Sequence, residues 1–389
     1  MRHFNLFYAA ARNIERNKTR GLLVISCLSA ILVPFISALA LLEGVRLQAG
    51  ISVESGADIY LTMDMYGRNG MVPAALAGEI KKIDGVVKAV PRVAGRIYVE
   101  GMPAVLLGLP AGSFPPSLSF VKGGLPDEDG IVVGRGIARK LGLDTGSRLS
   151  IGTRIQAIID HIPYVQKRVY TVSGIFDAES SIWTSNLILM DVEEAVSLFE
   201  MEGFVTDIAV FVKENEIGQV VEDIQRMNSY FRIQTKAIAR KAVVTGFNRK
   251  GGLFTAMYVV AFATAIPLIL MISGYGFSER KKEIGILKVT GWQTYEVLEM
   301  VFFENMILSL IAASLSFILS YVWVRFFNAP FIGGIFIAGA EQMPAFTVPA
   351  LFSWMQLFLS FFFSIVLTLS GSIYSSWKTA VIPPAEAVK

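Results

Sequence analysis

Four long apolar runs constrain this chain more than anything else in it: residues 21–42, 253–277, 298–327 and 351–377. A bilayer core of about 30 Å is crossed by about 20 apolar residues in a helix, and each run is long enough. In hydrocarbon every backbone N–H and C=O must be paired within the segment, so the runs are expected to be helices. The chain has 389 residues, 53% of them hydrophobic and 17% charged, with a mean hydropathy of +0.54. That is too apolar for a soluble protein and too polar for a chain lying wholly in the membrane. The average hides two populations: the four runs, and a polar stretch, 43–252, between the first and the second.

Lys and Arg near the ends of the runs set the orientation. The N-terminus carries Arg2, Arg12, Arg16, Lys18 and Arg20; the 278–297 loop carries Arg280, Lys281, Lys282 and Lys288; the tail carries Lys378 and Lys389. The connection 328–350 carries neither. By the positive-inside rule both termini and the middle loop are cytoplasmic, and 43–252 lies outside. Trp323 and Trp354 then fall near the outer interface, Trp292 and Trp377 near the inner one. Ala38-Leu39-Ala40 resembles a signal-peptide cleavage site. The run it ends, however, exceeds the roughly 7–15 residues of a signal core, so it is expected to stay as a span. Pro34 and Pro267 are expected to kink their helices.

The fold class is thus an α-helical membrane protein with four transmembrane helices plus an α+β extracytoplasmic domain inserted between the first and second spans. In that domain, 57–63 and 86–99 read as strands around a helix at 73–83. A second such unit follows: strand 207–213, helix 216–227, strand 231–236. The alternation in Asp207-Ile208-Ala209-Val210-Phe211-Val212 supports a sheet strand. These units mark a base, 43–100 and 205–252, around an insertion, 101–204, with strands at 147–160 and 168–176. Residues 236–249 read as a stalk helix running into the second span.

Little in the chain suggests chemistry. Net charge +3 is too small to argue for nucleic acid, and the bilayer is the evident partner. The single cysteine, Cys27, excludes an internal disulfide, and His3 and His161 are too far apart to suggest a metal site. Gly134-x-Gly136-x-x-Arg139 fails as a dinucleotide fingerprint. Residues 126–130, Pro-Asp-Glu-Asp-Gly, lack calcium-loop spacing and read as an acidic turn. Neither a G-x-S-x-G nor a G-x-x-x-x-G-K-[ST] is present. No catalytic, cofactor-binding or metal-binding residue is assigned, and the chain is expected not to be an enzyme.

The stretch 278–292, SERKKEIGILKVTGW, is different. Arg280, Lys281 and Lys282 cannot sit in hydrocarbon, and their blandest role is as a topology signal. Yet Ile284, Ile286, Leu287 and Trp292, interleaved with charges, suit a short amphipathic helix on the membrane surface, placed to meet a partner. Further on, Glu304 is an intramembrane carboxylate near the inner interface; such groups are usually paired or functional. An Arg or Lys of the N-terminal segment is its expected partner.

These segments together resemble the permease subunits of the MacB/FtsX/LolC-E class of ATP-binding-cassette transporters, the type VII architecture. Residues 11–20 (ARNIERNKTR) are similar to the amphipathic helix that leads into the first span. Ser55-Gly56-Ala57-Asp58, the Val132-Val133-Gly134 stretch with 138–143, and Val172-Ser173-Gly174-Ile175-Phe176 follow in family order. The strongest likeness is Glu279, Arg280, Glu283, Ile284, Gly285, Ile286, Leu287 and Gly291, which looks like the segment that docks on the ATPase. The resemblance implies a separate cytoplasmic ATPase that binds the ATP, with no cofactor in this chain. It also implies a second permease copy, as a homodimer or with a paralogue, in a bacterial cytoplasmic membrane. ATP-driven motion would be relayed to the outer domain for export, lipoprotein release or activation of an adaptor or hydrolase. The alternative is a membrane receptor or scaffold without an ATPase. One departure stands out: the family's third span carries a glycine-rich stretch after its glutamate, whereas 308–321 contains no glycine.

Overall fold

The computed structural model describes residues 2–115, 118–126, 129–159, 162–274, 284–332 and 349–381. The chain divides into two compact units: 1–44, 248–336 and 350–389 form the first; 45–247 with 337–349 form the second.

The first unit is helical. α1 spans Arg2–Arg16 and α2 spans Lys18–Glu54, running through Pro34. The structure extends this helix twelve residues beyond the apolar run. From Glu43 to Glu54 it meets no proline, only Gly44 and Gly50, and Gly56 lies just past its end. The sequence alone points to a stalk only on the second span. In the second unit Glu54 of α2 forms ion pairs with Arg240, and its carbonyl accepts from Lys236 Nζ at 3.2 Å. Among the described residues three helices are long and apolar enough to cross a membrane: α2, Lys236–Gly274 and Thr294–Phe327. A fourth helix, Trp354–Val381, has a shorter described apolar part.

In this unit, helix Thr294–Phe327 buries small side chains. Ala312, Ser309, Ser316 and Ser320 are fully enclosed. Ser316 Oγ donates to Ser29 Oγ at 3.2 Å, and Ser320 Oγ donates to the Val33 carbonyl at 2.9 Å. Ser364 of the last helix donates to the Ser309 carbonyl at 3.2 Å. Serine and alanine therefore provide the close approach expected of glycine, since helices in lipid associate through small residues and interhelical hydrogen bonds. Phe35 sits edge-on to Tyr258, Phe262 and Phe363 and draws the first two long helices together.

The second unit is built on one large mixed sheet. Its elements are β1 (Ile59–Met65), β2 (Arg68–Gly70), β3 (Val72–Pro73), α3 (Leu76–Ile80), β4 (Val86–Val99), β5 (Met102–Leu109), β6 (Leu118–Gly123) and β7 (Gly130–Gly134). There follow α4 (Arg135–Leu141), β8 (Arg148–Ile159), β9 (Ile162–Ala178), α5 (Ser181–Asn186), β10 (Leu187–Asp191) and α6 (Val192–Phe199). β11 (Phe204–Val205), β12 (Asp207–Val212), α7 (Ile217–Met227), β13 (Phe231–Thr235) and the first part of α8 (Lys236–Gly274), up to residue 247, complete it. The sheet runs β13-β1-β12-β4-β5-β10-β7-β9-β6. β1–α3–β4 and β12–α7–β13 are two interlocked split β-α-β units, each leaving room for a strand of the other.

β4 joins the two parts that the sequence separates at residue 100. Its residues 86–92 pair with β12, and 93–99 pair with β5. One buried cluster accordingly draws Ile59, Leu61 and Ile208 from one part and Ile131, Val133 and Ile137 from the other. Gly134 and Gly136 serve packing. A Cβ on Gly134 would stand 2.2 Å from the Thr184 carbonyl oxygen, and one on Gly136 2.8 Å from Ser185 Cα, so α5 can cross α4 only at glycine.

Candidate coupling site

The described part of a helix, α9, covers residues 284–289, with α10 (Thr294–Phe327) close behind it and α11 (Trp354–Val381) after that. α9 ends in a tight, fully bonded turn. The Trp292 N–H donates to the Leu287 carbonyl at 3.0 Å, and the Gly291 N–H to the Lys288 carbonyl at 3.1 Å. This is the pattern of a Schellman motif, and it places Gly291 in the left-handed region at φ +95°. A side chain there would clash with the backbone, which is a physical reason for glycine at a position the sequence could single out only by resemblance. α10 starts at once with a capping box: the Gln293 side chain accepts from the Glu296 N–H, and Glu296 Oε2 accepts from the Gln293 N–H at 2.7 Å.

Packing fixes α9 further. Ile284 is 2% exposed and clusters with Val297, Trp292 and Leu298. Gly285 is buried and Leu287 half-buried, while Ile286 (59%) and Val289 (69%) face out. Helix, turn and cap thus form one stiff corner at the head of α10, presenting an apolar edge.

α1 lies alongside. It buries Leu6 and Ala10, sets Phe7 edge-on to Phe303 at 5.8 Å, and pairs His3 with Glu299. Between α1 and α9 a cleft of about 960 Å³ opens, walled by Arg12, Arg16 and Lys18 on one side and by Ile286, Leu287 and Trp292 on the other. The Tyr8 hydroxyl accepts from the Arg12 guanidinium and holds its pKa above the ordinary value. The cleft therefore offers cations and apolar surface together.

Glu304 sits apart from that corner, 4% exposed. Asn13 Nδ2 donates to its carboxylate at 3.4 Å, and Arg20 Nη1 stands 3.6 Å away. A carboxylate so enclosed needs such neighbours, because an isolated buried charge is costly. It ties α1 and the start of α2 to α10.

Of the residues singled out in the sequence, Ile284, Gly285, Leu287 and Gly291 come together in α9 and its terminator. Glu279, Arg280 and Glu283 lie outside the described residues. Sequence reasoning missed Gln293, Glu296 and Val297. The first two carry a local signal, since a polar residue followed three positions later by Glu ahead of an apolar run marks a helix start. Val297 and Asn13 carry none: one reads as part of a span, the other as a surface residue. Among the described residues no cluster of His, Cys, Asp and Glu could hold a metal.

Two family models match this chain. The MacB-like periplasmic core domain family matches residues 32–227, and the FtsX-like permease C-terminal family matches 255–384. An uncharacterized ABC transporter permease protein of Mycobacterium tuberculosis is 23% identical over 211 residues, covering 54% of this chain and 23% of that protein. One from Methanocaldococcus jannaschii is 23% identical over 236 residues, covering 58% and 56%. The chain thus spans about a quarter of one curated relative and a little over half of the other. Among solved structures, the extracellular domain of the noncanonic ABC-type transporter YknZ from Gram-positive bacteria aligns at TM-score 0.35 and 11% identity, over 46% of this chain and 99% of that one. The periplasmic region of MacB from Actinobacillus actinomycetemcomitans aligns at 0.35 and 12%, over 49% and 95%. With a periplasmic-core pattern over half its length and a permease pattern over most of the rest, the chain is a multi-pass membrane protein of the MacB-like, FtsX-like ABC transporter permease family.

Proposed function

We propose that this chain is the membrane subunit of an ATP-driven complex whose separate ATPase docks on the corner formed by α9 and the adjoining cleft. The observation that carries the reading is the construction of that corner. Ile284 and Trp292 anchor α9, the Schellman turn and capping box fix its angle to α10, and Ile286 and Val289 stay exposed. A helix held so rigidly with an apolar edge outward can pass a push from a partner straight into α10. Four spans, cytoplasmic termini and an outer domain between the first two spans complete the proposed topology. In it α2 and α8 relay motion to the sheet domain, where a second permease copy, an adaptor, a lipoprotein or a hydrolase is engaged. A receptor without an ATPase would have no use for a stiff corner with an exposed apolar edge.

The test is Ile286→Asp combined with Val289→Asp in the full chain, co-expressed with a candidate ATPase from the same genome. Both side chains are exposed, so folding and insertion should persist. Losing central apolar contacts costs an interface about 2 kcal/mol or more. Recovery of the ATPase with the purified chain should therefore fall by roughly tenfold or more. Full recovery with unchanged ATP hydrolysis would remove the coupling role.

A further inference from the structure

The large sheet is apolar on both faces, and α3, α4, α6 and α7 pack on one of them. In β10, Ile188 and Met190 enter the main core, while Leu187 and Leu189 point the other way. In β4, Val93 and Ile97 enter the core, while Val90 and Ala94 point away. Among the described residues the second face is roofed by Trp183 of α5, by Phe114 after β5 and by Leu118 at the start of β6. Beneath this roof lies a pocket of about 480 Å³, within the size range of small-molecule sites. Val87 (60% exposed) and Phe211 (37%) stand at its edge.

Two cations, Lys88 and Arg92, are the charged residues of its wall; no carboxylate lines it among the described residues. Arg92 is already satisfied: its Nε donates to Asp207 at 2.7 Å, and its guanidinium lies over the Tyr60 ring at 4.4 Å. Lys88 is bound only lightly, donating to the Gly112 carbonyl at 3.1 Å. An occupant must therefore be apolar along its length, since the walls offer few hydrogen-bond partners, and it should end in one negative charge.

We propose that this pocket binds a single fatty-acyl chain with an anionic head, the chain against Leu107, Leu189 and Phe114 and the head at Lys88. The assignment is independent of the docking of any ATPase. A carboxylate and a phosphate head share this chemistry, so free fatty acid and lysolipid are the two sources to separate.

The experiment uses the full chain in lipid nanodiscs, without ATPase, and three diazirine-tagged probes: palmitic acid, a lysophosphatidic acid and palmityl alcohol. Cross-linked peptides are mapped by mass spectrometry. An acidic probe should label the peptides carrying Leu107, Phe114 or Leu189, and the better of the two acids names the source. Lys88→Glu replaces attraction by repulsion and should lower this labelling about tenfold. Leu107→Trp should fill the pocket and do the same; if that variant does not fold, Lys88→Glu decides alone. Labelling confined to the apolar helices, equal labelling by the alcohol, or labelling indifferent to Lys88→Glu would each overturn the proposal.

Discussion

The sheet domain and helix α10 of the helical unit bury residues in different styles. The sheet domain encloses large aliphatic side chains, among them Ile59, Leu61, Ile97 and Ile131. The helical unit also encloses Leu28, Leu32 and Ile36 of α2, but along the middle of α10 it buries serines and alanines and turns large residues such as Leu310, Ile318 and Phe326 outward. The difference teaches which solvent each unit answers to. In water, apolar area drives burial, so the largest side chains go inside. In lipid, the chains outside are as apolar as leucine, so nothing is gained by hiding leucine; what remains is close backbone approach and hydrogen bonding between helices. The outer face of α10 thus has the composition of a surface that suits lipid rather than water.

The contrast can be broken by substitutions of unequal weight. The largest effect is expected from Ile97→Ala, which empties space in the middle of the sheet-domain core and should cost about 2–5 kcal/mol. Loss of amide-exchange protection across β4 and β5, with the helical unit unchanged, is the expected readout. A cost below about 1 kcal/mol would mean that the core is not packed to water's demands.

Next comes Ser316→Leu. A soluble core often welcomes such a change, but here it thrusts a branched chain against α2 and removes the bond to Ser29. Overpacking of about 1–3 kcal/mol is expected, read as lower thermal stability of the full chain in detergent. A stabilised variant would show that α10 is packed like a soluble helix.

Tyr170 tests polar burial on the water side. Its hydroxyl donates to Glu194 at 2.8 Å, and burial, followed by that bond, raises its pKa above the ordinary phenol value. A folded-state pKa above the unfolded one adds stability that is full below about pH 10 and fades as pH climbs through the folded value. Tyr170→Phe should therefore cost about 1 kcal/mol near neutral pH and flatten the alkaline loss of stability. An unchanged alkaline profile would assign that loss elsewhere.

The smallest effect is expected from Ser309→Ala. It deletes the 2.8 Å bond to Thr368 while keeping the side chain small. Single interhelical hydrogen bonds in membranes average about 0.6 kcal/mol, so helix association should barely change. A loss approaching that of Ile97→Ala would make hydrogen bonding, and not size, the rule in this unit.

Local patterns were legible in the chain itself. Apolar length marked the long helices, period-two alternation marked Asp207–Val212, and mixed charge and apolar spacing marked α9. Each depends on neighbours within a few residues, whose preferences act before any fold exists. The class of partner for Glu304 also followed from charge, because a carboxylate in an apolar run must be answered by something basic or polar.

Tertiary structure alone decided the rest. That Asn13 and Arg20 answer Glu304, that β4 links both halves of one sheet, and that serines replace glycine between α10 and its neighbours all join residues far apart in sequence. So does the pocket beneath Trp183, made of alternate residues from several strands. Sequence determines which faces must be covered, through hydrophobicity and charge. Which element covers each face, and which face is left open, depends on long-range contacts whose loop-closure cost is repaid only when the whole domain packs at once.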